Sequence, residues 1–127
     1  MLNFDKGGGL VTAVVQDHAS GEVLMVAFIN EEAFERTRAT GKMHYYSRSR
    51  NRLWMKGETS GHVQEVQEIL VDCDEDAVVF KVRQHGGACH TGYDSCFFRR
   101  LEPDGQFTVI KSGKVFDPDQ VYSTQSQ

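Results

Sequence analysis

Residues 10 to 30 constrain the fold of this chain more than any other stretch. Leu10 to Gln16 and Glu22 to Ile29 are rich in β-branched and apolar residues, and His18-Ala19-Ser20-Gly21 between them has turn chemistry, so the pair reads as a β-hairpin. Asn30 then follows as a helix N-cap, Glu31 and Glu32 sit where the helix dipole favours anions, Phe34 can face the core, and Gly41 is placed to end the helix. One helix over about 31 to 40 is expected. Met43 to Ser49 and Arg52 to Met55 read as strands around a polar turn at Arg50-Asn51. Between Ser60 and Gln67 the pattern is ambiguous, because Ser60 can cap a short helix carrying Val63 and Val66 on one side. Ile69 to Cys73, Ala77 to Val82 and Phe107 to Ile110 read as further strands, Gly86-Gly87 and Gly92 mark a loop, and Pro118 lies near an exposed end. The expected fold is α+β: a strand-rich single domain with one main helix. A length of 127 residues holds one core and excludes two independent domains.

Hydrophobic residues at 39% and charged residues at 25% are those of a globular protein. A net charge of -4 argues against a general nucleic-acid or anionic-membrane binder, so neither partner is expected. The sum hides a segregation. Residues 36 to 57 carry seven basic side chains and no acidic one, whereas residues 58 to 80 carry seven acidic side chains and no Lys or Arg. Residues 1 to 9 lack the apolar stretch of a secretory signal, and the longest apolar run, Val23 to Ile29, is far short of the ~20 residues that span a bilayer. A cytoplasmic location is the expectation. There the three cysteines, Cys73, Cys89 and Cys96, stay reduced, so a metal or catalytic role competes with simple burial.

Asp72-Cys73-Asp74-Glu75-Asp76 is the densest chemical signal. On an extended backbone Asp72, Asp74 and Asp76 would share one face and Cys73 the other, separating hard oxygen donors from a soft thiolate. Oxygen ligation suits Mg²⁺, Mn²⁺ or Ca²⁺, and a thiolate suits zinc. An EF-hand is excluded, since its sixth and twelfth positions would be Ala77 and Arg83 rather than Gly and Glu. A solvated acidic turn is the competing reading.

Cys89 and Cys96 lie seven apart in a Gly-bearing loop, with no Cys-x-x-Cys unit of the structural zinc type. Three thiolates instead match a catalytic zinc site that keeps a position for water; the alternative is that Cys73 and Cys96 are small buried hydrophobes. His90 can be a ligand, a base or neither. In the basic stretch, Ser47, Arg48 and Arg50 offer hydroxyl and guanidinium donors for a phosphate, with Arg48 and Arg50 on one strand face, Trp54 offers a ring for a heterocycle and Lys56 another cation. A solvated strand edge accounts for the same residues. The adjoining acidic segment disfavours an extended polyanion but not a small phosphate ester.

Ser47-Arg48-Ser49-Arg50, Leu53 through Gly61 (LWMKGETSG), Asp72-Cys73-Asp74-Glu75-Asp76, Ala88-Cys89-His90-Thr91-Gly92 and Ser95-Cys96-Phe97 together resemble the phosphoribosyl-AMP cyclohydrolase family of histidine biosynthesis. The resemblance runs from about residue 9 to 98 and leaves 99 to 127 as a less diagnostic tail, within one domain over 1 to 127 that carries no fused pyrophosphohydrolase. It implies hydrolytic opening of the N1–C6 bond of the purine ring of 1-(5-phosphoribosyl)-AMP, to the phosphoribosylformimino imidazolecarboxamide nucleotide. It further implies one zinc per subunit held by Cys89 and Cys96 with Cys73 of the other subunit, magnesium at Asp72, Asp74 and Asp76, and an intertwined homodimer. The expected chemistry is attack of zinc-bound hydroxide at C6, assisted by magnesium, with His90 in proton transfer and Ser47, Arg48, Arg50, Trp54 and Lys56 on the substrate. The His-x-Glu and Pro-Cys-x-x-Cys signature of the deaminases is absent.

Overall fold

The structure, a computed structural model, describes residues 1–111 and Gly113. The expectation for Pro118 and the end of the tail lie outside the described residues. After a short 3-10 turn at Asp5–Gly7 come β1 (Val11–Asp17), β2 (Val23–Ile29), α1 (Glu31–Thr40), β3 (His44–Ser47), β4 (Arg52–Met55), β5 (Gln64–Val71), β6 (Ala77–Gln84), β7 (Arg99–Leu101) and β8 (Phe107–Val109). This is a single small α+β domain, as expected.

The opening hairpin forms with β1 and β2 antiparallel, and the turn is closed by the Asp17 carboxylate accepting the Ser20 amide at 2.7 Å. Asn30 caps α1 by accepting the Ala33 amide, and Gly41 ends it in the left-handed region, φ 75°, which glycine adopts without the Cβ penalty. What local pattern does not specify is the next pairing. β6 lies parallel to β1, with Thr12 opposite Ala77 and Asp17 opposite Val82, so the main sheet has the order β2-β1-β6-β5. Strand alternation turns Val11, Ala13 and Val15 of β1 and Val78, Phe80 and Val82 of β6 to one face. There they pack with Ile29, Ala33, Phe34, Met43 and Tyr45 into the core.

The ambiguous stretch resolves as the strand β5 rather than a helix capped by Ser60, and β5 ends at Val71, not Cys73. It is an edge strand with a bulge between Val66 and Glu68, so its alternation is broken and much of its length is solvated. A β7–β8 hairpin closes the described chain; only its second arm is legible as a strand in the sequence.

Candidate active site

A cavity of about 510 Å³, in the range of small-molecule sites, opens where the β3–β4 hairpin, the turn after β4 and the loop after β6 meet. Ser47, Arg50, Trp54 and Lys56 line it from one side and His90 and Cys96 from the other, so six of the expected site residues share one space. Arg48 is not among the lining residues. It and Arg50 lie in the turn after β3 rather than on a strand face, and the Arg48 guanidinium rests over the Phe28 ring at 4.4 Å. That stacking replaces the shared face expected for Arg48 and Arg50. Arg52, Met25 and the turn Gly57 to Ser60 also line the cavity. The sequence pattern assigns that turn no role, although two glycines bracketing Glu58-Thr59-Ser60 are a recognisable loop signal.

The cysteine loop is held at one end by backbone that the sheet leaves free and at the other by a lysine side chain. In β2 the register slips between Val15 and Gln16, leaving Leu24 as the extra residue of a bulge. Its carbonyl, freed from the ladder, accepts the Cys96 amide at 2.7 Å, while the Ser95 hydroxyl donates to the Val23 carbonyl at 2.8 Å. At the other end the Lys56 ammonium donates to the Ala88 carbonyl at 2.6 Å. The Cys89 sulfur lies 2.9 Å from the Thr91 hydroxyl, and Tyr93 stacks on Phe98. Gly86 completes the support. Its φ is +71°, and a Cβ there would come within 2.4 Å of the His62 ring.

Cys89 and Cys96 face each other. The Cys96 sulfur reaches the cavity, yet desolvation by the surrounding chain, followed by the neighbouring Cys89, pushes its thiol up to about 11. Desolvation holds the Lys56 ammonium below its ordinary value, against the pull of both thiols. The donor set suits a soft metal: two adjacent sulfurs, which bind such an ion as thiolates. Cys73 does not join them within the chain. It sits in the β5–β6 turn, whereas the cysteine loop follows the other end of β6, ~25 Å away along an eight-residue strand.

Asp72, Asp74 and Asp76 do converge, with carboxylate oxygens within 4.8 Å of one another. Their backbone is the β5–β6 turn, not the extended strand expected, and Glu75 bends it with φ 66°. Asp72 accepts the Asp76 amide at 3.0 Å and so folds the turn on itself. Lys6, 68 residues away in sequence and outside every motif, places its ammonium 2.6 Å from Asp74 and 3.2 Å from Asp76. Hydrogen bonding from Lys6, then from Asp76 and Asp72, lowers the Asp74 carboxyl to about 2. The oxygen donors fit a hard divalent cation, and Lys6 holds the same carboxylates by its own charge.

Under the cavity floor runs a polar chain, buried at Tyr45 and Gln64 and half-buried at Gln84. The Tyr45 hydroxyl donates to Gln64 Oε1 at 2.5 Å, and Gln64 Nε2 donates to Gln84 Oε1 at 2.7 Å. Gln84 Nε2 in turn donates to the carbonyls of His62 and His85. Tyr45 also packs on Trp54, ring centroids 4.9 Å apart, and thereby sets the cavity's aromatic wall.

No described helix is long and apolar enough to cross a membrane. The sequence pattern of the phosphoribosyl-AMP cyclohydrolase family matches residues 25–98. Curated relatives of that name include one from Methanosphaera stadtmanae, 60% identical over 92% of this chain and 91% of the relative. Another, from Methanothermobacter thermautotrophicus, is 57% identical over 96% of this chain and 91% of its own length. A third, from Desulfotalea psychrophila, is 58% identical over 98% of both chains. Identity at this level, spread over nearly the whole chain and joined to the motifs that build the cavity, makes this chain a member of the phosphoribosyl-AMP cyclohydrolase family, a family of hydrolases.

Proposed function

We propose that this chain hydrolyses 1-(5-phosphoribosyl)-AMP in histidine biosynthesis, opening the N1–C6 bond of the purine ring. The observation that carries the reading is the cavity itself, where His90 and Cys96, with the buried Cys89 beside Cys96, face a wall of cationic and hydroxyl side chains. The overall change adds one water to the 6-imino form of the ring: its oxygen stays on C6 as the carboxamide oxygen, the C6–N1 bond breaks, one proton goes to N1 and the other to the exocyclic nitrogen. Cys89 and Cys96, with the partner subunit's Cys73, would hold zinc, which as a Lewis acid makes water a better nucleophile at neutral pH. Asp72, Asp74 and Asp76 would hold magnesium. His90, exposed beside Cys89, is positioned to carry the proton toward N1. Trp54 offers its face to the purine, and Ser47 and Arg50 offer donors to phosphate.

A homodimer follows from the same chemistry, because Cys73 lies far from its own cysteine loop. Its surface support is twofold. Val26, Val14, Val79 and Leu70 form an apolar row across the outer sheet face, with Val26 and Leu70 well exposed. The β7–β8 hairpin also shows Leu101, Phe107 and Val109 to solvent, and an isolated two-stranded hairpin is marginal in water. A cytoplasmic location completes the reading.

Purified protein should turn over phosphoribosyl-AMP and lose turnover on zinc chelation and in Cys89→Ser; full activity in either case overturns the zinc reading. Refolding Cys73→Ser together with Cys89→Ser chains should restore activity at one composite site per heterodimer. Confirmed heterodimers without activity would count against shared ligands. Rescue of a histidine-requiring strain blocked at this step tests the substrate directly.

A further inference from the structure

The turn after β4 offers more hydrogen-bond donors to the cavity than the protein uses. Gly57, Glu58, Thr59 and Ser60 all line the space. Within the turn the Glu58 amide goes to the Met55 carbonyl and the Gly61 amide to the Gly57 carbonyl, whereas the amides of Gly57, Thr59 and Ser60 find no protein acceptor among the described residues. The Ser60 hydroxyl accepts the His62 amide at 3.1 Å, which leaves its own proton to donate, and the Thr59 hydroxyl makes no hydrogen bond to a described residue. Backbone and hydroxyl donors grouped in a glycine-bracketed turn form a concavity suited to a tetrahedral oxyanion. The glycines are required by shape: Gly57 and Gly61 have φ of +85° and +80°, and a Cβ on Gly57 would lie 2.5 Å from the Val63 amide nitrogen.

The charges around the turn point the same way. Arg52 is paired with Glu58 at 3.5 Å, which draws that carboxylate to its own counter-ion. Lys56 is turned to the Ala88 carbonyl and the thiols. Arg50 lines the same cavity and has no carboxylate partner among the described residues, so its guanidinium is the cation left for a ligand. His90 and Cys96 stand on the facing wall.

We propose that the Gly57–Gly61 turn, with the Thr59 and Ser60 hydroxyls and the Arg50 guanidinium, is the seat of one phosphomonoester of the nucleotide, and that Lys56 belongs to the cysteine loop instead. This rests on the proposed substrate and deepens it by naming what grips one of its two phosphates. A phosphate anchored at the turn directs the rest of the ligand toward the facing wall, so the turn selects for phosphorylated over unphosphorylated nucleosides.

The single tryptophan, Trp54, lines the cavity and reports binding by its fluorescence. In the full-length protein with zinc retained, AMP should bind at least tenfold more tightly than adenosine, and inorganic phosphate should compete with AMP. Thr59→Val keeps the side-chain shape and deletes the donor; it should weaken AMP about tenfold, the size expected for one hydrogen bond to a charged group, while adenosine affinity stays the same. Arg50→Met should do likewise, and in both variants KM for phosphoribosyl-AMP should rise by a similar factor with a much smaller change in kcat. Zinc content equal to the parent's shows that the cysteine loop is intact. No preference for AMP over adenosine in the parent, or a preference that both variants keep, overturns the subsite even if phosphoribosyl-AMP is turned over. Loss of the preference in the variants of a protein that fails to turn over phosphoribosyl-AMP upholds the subsite and overturns the proposed reaction.

Discussion

Removing Gln64 tests whether the polar chain acts as a unit. Gln64 is fully buried, and its amide links Tyr45 to Gln84. In Gln64→Leu the Tyr45 hydroxyl keeps only the Met25 sulfur at 3.8 Å, a weak acceptor. Gln84 cannot turn to compensate, because its Nε2 is held by the carbonyls of His62 and His85, so its Oε1 is stranded. The buried phenol left without a partner costs about 1–3 kcal/mol and the half-buried Gln84 Oε1 about 1 kcal/mol, so the substitution should cost about 2–4 kcal/mol. Tyr45→Phe strands only Gln64 Oε1 and should cost about 1–3 kcal/mol. In the double variant the phenol and the amide vanish together and only Gln84 Oε1 is stranded, so its cost should fall short of the sum by about 2 kcal/mol. Urea denaturation at one protein concentration measures all four proteins; the midpoints should move while the slope stays constant. Costs that add within about 0.5 kcal/mol would refute the reasoning, since independent sites add to that degree.

Gly86→Ala meets both the His62 ring and a left-handed backbone, and should cost about 2–4 kcal/mol in urea denaturation and lower zinc retention. Gly105→Ala, at φ +88° with open space around its Cβ, should cost only about 1 kcal/mol; equal costs would refute the steric reading. Desolvation raises the Tyr45 phenol well above its ordinary value. The native state therefore holds a proton that the unfolded chain releases near pH ~10, so this contribution is full below that pH and is lost as pH rises toward the folded value. Urea midpoints should fall more steeply above pH ~10 in the parent than in Tyr45→Phe, and identical slopes would refute this. Lys6→Met frees Asp74 and Asp76 from their ammonium, so Mn²⁺ affinity at the acidic turn, read by electron paramagnetic resonance, should rise severalfold. Unchanged affinity would show that Lys6 does not compete for the carboxylates.

Much of the fold was legible because its signals are local. The hairpin, the Asn30 cap, the Gly41 stop and the alternation in β1 and β6 each depend on neighbours within a few residues. Of β5 only the end, from Ile69, was legible: its first half is largely polar, is broken by a bulge and meets only a single bridge at Lys42 on its outer side, so no clean period of two survives there. At the site, six expected residues line one cavity. The turn behind Arg48 and the donors of Gly57 to Ser60 escaped because they depend on backbone course rather than on residue type.

The amino-acid sequence by itself determined the family, through long motifs in order, and the kinds of donor available: thiols, carboxylates, guanidinium groups and hydroxyls. Where those donors meet was decided only by the tertiary structure. Pairing Thr12 with Ala77 sets β6 parallel to β1, which puts the acidic turn beside the start of β1 and the start of the cysteine loop beside its end. The bulge at Leu24 frees the carbonyl that seats Cys96, and Lys6 crosses 68 residues of sequence to reach Asp74. The reason is physical. Turn and cap preferences are energies of adjacent residues, whereas strand order, bulges and distant ion pairs are set by how the whole core packs, which no local window contains.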